Sequence, residues 1–240
     1  MARDMYDGGV LYTDVLLGRI VDAIRAGGAL DDTVLIVMAD HGESLGEKDG
    51  YYGHGPSLYQ EGISVPLIVR YPPRIPAGVR IDTPVSTVGA FATILDLAGV
   101  EAPPTLQVGS LAPLAQGERV SPGPVLSERM KATALGAAET KPDDRQMWGG
   151  VRYRVLRHGS WKIVESSEGE FWLYDLASDP HELSNLAEAR PRELARLKGA
   201  LVAARVDLDL PELDADFAAA AMPELDAATQ NRLRELGYIE

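Results

Sequence analysis

The side chains best suited to chemistry in this 240-residue chain fall in one stretch, Asp40-His41-Gly42-Glu43-Ser44 followed by Gly53-His54-Gly55. Aspartate offers a hard oxygen and neutral imidazole a nitrogen. Adjacent Asp40 and His41 can therefore reach one divalent cation if the backbone turns sharply, as Gly42 permits. They are the candidate metal ligands. His54 returns in the same loop, where a histidine can protonate a departing alkoxide or donate a hydrogen bond to an anionic substrate oxygen. It is the candidate catalytic and substrate-binding residue. Spacing alone leaves other readings open: Asp40 and His41 as a cap of the next element, and His54 as a surface histidine between two glycines.

The surrounding pattern says how these residues are carried. Apolar Leu17, Ile20, Val21 and Ile24 recur at helical spacing from Thr13 until the Gly27-Gly28 pair, which predicts an amphipathic helix. Thr33 to Ala39 is an unbroken β-branched and apolar run, the pattern of a central parallel strand buried on both faces, and the loop with Asp40 follows directly. Carboxyl ends of strands in open α/β sheets are where ligands bind. A second apolar run covers Val65 to Val69, and Val88 to Leu97 reads as a helix closed near Gly99. The stretch from Glu101 to Gly123, rich in proline and glycine, reads as a boundary. Beyond it Val151–Arg157, Trp161–Glu165 and Phe171–Leu176 read as antiparallel strands, and Arg190 to Val206 as a helix with Pro191 in its first turn. Trp148, Trp161, Phe171 and Trp172 are expected in the core of that small sheet, and His158 and His181 in turns. The expected divisions are 1–120, 121–206 and an acidic helical tail, 207–240.

Composition narrows the function. Acidic residues outnumber basic ones 36 to 23, and the net charge of −13 opposes binding to a phosphate backbone, so no nucleic-acid partner is expected. With no cysteine there is no thiolate ligand and no thiol nucleophile. No apolar run approaches the roughly 20 residues of a membrane span, and the start resembles no signal peptide. Compartment is left open.

Taken in order, Ala39-Asp40-His41-Gly42-Glu43-Ser44-Leu45-Gly46-Glu47, Gly53-His54-Gly55, Leu58-Tyr59-Gln60-Glu61 and Val65-Pro66-Leu67-Ile68-Val69 resemble the sulfatase family of the alkaline-phosphatase superfamily. The resemblance extends through Thr93 to Gly99, and Leu173-Tyr174-Asp175-Leu176 with Asp179-Pro180, Glu182 and Asn185-Leu186 is similar to the family's C-terminal sheet and turn. It implies an α/β fold, with part of an alkaline-phosphatase-like layered sheet and its helices, then a small antiparallel sheet with a packed helix. It also implies a metal-dependent hydrolase of sulfate monoesters acting on a sulfated small molecule or sugar, with one divalent ion, calcium in most sulfatases. Asp40 and His41 match two metal ligands. Calcium is the ion expected, and histidine where many sulfatases have asparagine leaves manganese and zinc as alternatives. His54 matches a position, often lysine, that contacts the substrate's anionic group.

The departures are as informative. The family's nucleophile motif, Cys or Ser followed by x-Pro-x-Arg, and its remaining metal aspartates have no match here, and the resemblance implies that they lie upstream. A missing N-terminal half is therefore an expected partner, and the chain by itself is not expected to turn over substrate. Two alternatives stand: a phosphate or phosphonate ester hydrolase or phosphoethanolamine transferase of the same superfamily, and a catalytically inactive fragment or binding module.

Overall fold

The computed structural model describes residues 2–48, 50–54, 58–120, 123–129, 151–213 and 232. Helix α1 (Ala2–Ala26) begins well before Thr13, running through Gly8-Gly9, a pair whose low helix propensity hides its first turns in the sequence. None of its residues is buried, and Leu11 is 65% exposed. A single 3-10 turn, Leu30–Asp32, leads into β1 (Leu35–Met38).

The direction of β1 is a correction to the sequence reading. Its neighbour among the described residues is β4 (Leu67–Arg70), which runs antiparallel with Leu35 opposite Arg70 and Met38 opposite Leu67. An apolar run reports burial but not the direction of the partner strand. Burial is also one-sided. Val34, Val69 and Tyr71 pack with Ile75, Leu97 and Ala112, contributed in part by α3 (Gly89–Leu97) and α4 (Ala112–Ala115), whereas Ile68 is 59% exposed. Between β1 and β4 lie a short hairpin of β2 (Ser44–Leu45) and β3 (Tyr52–Gly53), and a one-turn helix, α2 (Gln60–Ile63).

The second half is a four-stranded antiparallel sheet in the order β5 (Val125–Arg129), β6 (Tyr153–His158), β7 (Trp161–Ser166) and β8 (Phe171–Asp175). Alternation along its strands feeds two cores. On one face Tyr153, Val155, Val164 and Tyr174 pack against Leu58 and Tyr59, the residues just before α2. On the other, Leu156, Ile163 and Leu173 meet Leu197, Leu201 and Ala204 of α5 (Pro191–Asp207), which starts with its proline as the sequence suggests. Each such fully buried leucine stabilises the fold by roughly 1.5–3 kcal/mol. Trp161, Phe171 and Trp172 are half-buried at the edges of these cores. His158 closes β6, and His181 is exposed in the turn after β8. Trp148 and most of 207–240 lie outside the described residues. The neighbour of His181, Glu182, is buried with φ +55°, the left-handed region that glycine and asparagine favour. Among the described residues no helix is long and apolar enough to cross a membrane.

Candidate active site

The β2–β3 hairpin explains how distant side chains meet. Ser44 is opposite Gly53 and Leu45 opposite Tyr52, so the antiparallel register carries Glu43 opposite His54 just beyond the pairing. His54 Nδ1 lies 3.0 Å from Glu43 Oε2. The His41 and His54 rings stack with centroids 4.3 Å apart at 28°. One ligand atom from each of His41, Glu43 and His54 lies within 4.8 Å of the others, close enough to share a single ion.

Tautomers follow from the partners. The Gly42 carbonyl, 2.9 Å from His41 Nδ1, can only accept, so that nitrogen carries the proton. By the same argument His54 Nδ1 donates to the Glu43 carboxylate, and both imidazoles keep Nε2 as the free lone pair. This is the arrangement in which a carboxylate orients a metal-binding or acid–base histidine. Asp40 accepts from the His41 amide at 3.0 Å, and its Oδ1 stands 3.8 Å from His41 Nε2. Asp40 is 86% exposed at its side chain and does not join the His41–Glu43–His54 group.

Two glycines shape the loop. A Cβ on Gly42 would collide with the Glu61 carbonyl, and the Gly42 amide donates to the Gly62 carbonyl at 2.9 Å, which clamps the turn against α2. Gly53 has φ +135°, and the Tyr51 hydroxyl occupies the space of a side chain there while donating to the His54 carbonyl at 3.2 Å. Partial burial, and then the Glu43 charge, push the Tyr51 phenol above its ordinary value, keeping it a neutral donor.

The structure therefore brings His41 and His54 together as the sequence suggests, with Asp40 beside them at the carboxyl end of β1. Glu43 was missed as a site residue. Its signal was the register of a hairpin too short to stand out in the sequence. Two imidazoles with carboxylates are a donor set for zinc or manganese, while calcium takes six to eight oxygens.

Oxygen and nitrogen donors thus gather at the carboxyl end of a sheet strand, beside a helix-covered layer, where α/β proteins place their ligand sites. Residues 2–100 match the sulfatase family model, and the chain belongs to the sulfatase family of the alkaline-phosphatase superfamily. Arylsulfatase K of Xenopus laevis is 30% identical over 208 residues, which are 84% of this chain and 36% of the relative. A protein solved in complex with its substrate D-glucosamine-2-N,6-O-disulfate superposes with a TM-score of 0.75 at 25% identity, over 86% of this chain and 41% of that one. A phosphonate monoester hydrolase of Agrobacterium radiobacter has a TM-score of 0.65 at 30% identity, over 81% of this chain and 39% of that one. The chain thus spans about a third of the length of the curated relatives it matches.

Proposed function

We propose that this chain supplies one side of the active site of a metal-dependent sulfate monoester hydrolase, taking a sulfated small molecule or sugar. The carrying observation is the stacked His41–His54 pair, with Glu43 fixing the tautomer of His54 at the end of β1. Asp40 and His41 would hold one divalent ion, and the His41 imidazole weighs toward manganese or zinc against the family's usual calcium. Such an ion supplies Lewis acidity toward a sulfate oxygen. His54 binds the anionic ester and, protonated at Nε2, gives that proton to the departing alkoxide while Glu43 stabilises the imidazolium. The nucleophile and the protein surface covering α1 and the open face of β1 and β4 belong to further protein, in line with the share of the relatives that the chain spans. The expected divisions at 1–120, 121–206 and 207–240 are kept as part of this reading.

The test is hydrolysis by the complete gene product, loaded with calcium, manganese or zinc. Aryl and sugar sulfates should be cleaved, and His54→Ala should remove most of that activity. Cleavage of phosphonate monoesters with no sulfatase turnover would establish the second reading, which the 30% identity to the phosphonate monoester hydrolase favours. Titration of the chain with each metal, against an Asp40→Ala, His41→Ala double variant, tests the ligands directly.

A further inference from the structure

Inside the C-terminal sheet lies an ion pair that is no part of the His41–Glu43–His54 cluster. Lys162 on β7 and Glu182 in the turn after β8 are fully buried and bonded to each other. A buried ion pair contributes little to stability, because desolvating both charges offsets their attraction. What this pair does hold is main chain from another region. Lys162 Nζ donates to the Leu58 carbonyl at 2.6 Å, and the Gln60 amide donates to Glu182 Oε2 at 2.7 Å. Lys48 Nζ donates to the Glu182 carbonyl at 2.5 Å and stands over the Tyr59 ring. Lys48, Leu58 and Gln60 are thereby tied to the C-terminal sheet, and His54 lies between them in sequence. Two residues past Gln60, the Gly62 carbonyl takes the Gly42 amide, so the same grip reaches the turn beside His41. The turn keeps a glutamate in left-handed backbone although glycine would suit its geometry better. The carboxylate is the feature that the turn itself does not need.

We propose that Lys162 and Glu182 are positioning residues for the site: they tie Lys48, Leu58 and Gln60 to the C-terminal sheet, so that His54, between them in sequence, stays against Glu43 and His41. The inference rests on the reading of His41, Glu43 and His54 as the functional cluster.

Two variants of the whole chain test it. Lys162→Met with Glu182→Leu replaces the pair by apolar side chains of similar volume, an exchange that buried ion pairs often tolerate. Gln60→Pro removes the amide donor at the first position of α2, where proline is accommodated, and with it the side chain that accepts from Arg157 Nη1 at 3.0 Å, a loss that Gln60→Ala reproduces with the amide kept. Melting followed by the fluorescence of Trp161 and Trp172 should stay close to the wild type in both. Nuclear Overhauser contacts between the His41 and His54 rings should vanish and the Gly42 amide should exchange faster. Zinc affinity should fall by about 10–100-fold, the scale seen when residues that orient metal ligands are removed. Unchanged ring contacts and Gly42 protection would overturn the proposal, with Gln60→Pro deciding alone if the double variant does not fold. A wild-type chain that binds no zinc, yet loses the ring contacts in the variants, would overturn the metal reading and leave the positioning role standing.

Discussion

The sheet of β5 to β8 and the pair β1–β4 are both antiparallel and both rich in β-branched and apolar residues, yet they meet water differently. The first is covered on one face by α5 and on the other by Leu58 and Tyr59. Among the described residues the second is covered on one face only, and α1 has no buried residue along its length. Exposed apolar surface on that scale is the mark of an interface. The contrast separates a region covered on both faces from one left open on one face among the described residues, and the candidate site sits on the seam.

The largest effect should come from breaking the C-terminal region's internal charge balance. Lys162→Met alone leaves the Glu182 carboxylate buried without its cation and should cost about 3–5 kcal/mol in urea unfolding followed by tryptophan fluorescence. Next is Leu173→Ala, which empties a fully buried position and should cost about 2–5 kcal/mol in the same measurement.

Glu61→Gln should act in the opposite direction. Burial, and secondarily the charge of Glu182, raise the Glu61 carboxyl above its ordinary value of 4.5, and its Oε1 is buried with no hydrogen-bond partner among the described residues. Because the folded state holds this proton more tightly than the unfolded one, ionisation costs stability as pH rises through 4.5, and fully so above the folded value. The glutamine variant should therefore melt higher at neutral pH and match the wild type in acid. A variant that melts lower at neutral pH would show that the carboxylate is stabilised there. The smallest effect belongs to Leu11→Ala on α1, which should change stability by no more than about 0.5 kcal/mol when urea unfolding of this chain is measured. A cost equal to that of Leu173→Ala would erase the contrast between the two regions.

The parts of the fold that run on local periodicity were legible in the sequence: the strand ahead of Asp40, the helix ending near Gly99, the hairpins around Trp161 and the proline-led α5. The candidate histidines were legible too, through residue type and their place after an apolar strand. What could not be read depended on contacts distant in sequence. The direction of β1 is set by a strand on the far side of the hairpin and α2. Glu43 joins His54 through a two-residue pairing with no periodicity to detect. The pairing of Lys162 with Glu182 has no local mark, because the two lie 20 residues apart, one on a strand and the other in a turn. The early start of α1 was hidden for a different reason: local propensity at Gly8-Gly9 opposes it.

Glu182 is subject to two demands that disagree. Its backbone angle would be eased by glycine or asparagine, residues that drift could readily supply at a turn. Either exchange would strand an ammonium in a dry interior. Reaching a more comfortable turn therefore requires a second change at Lys162 in the same step, since either intermediate leaves one charge buried alone. Positions 162 and 182 can change together but not one at a time, and a bond between a strand and a turn 20 residues away thereby becomes a constraint on the order in which mutations can accumulate.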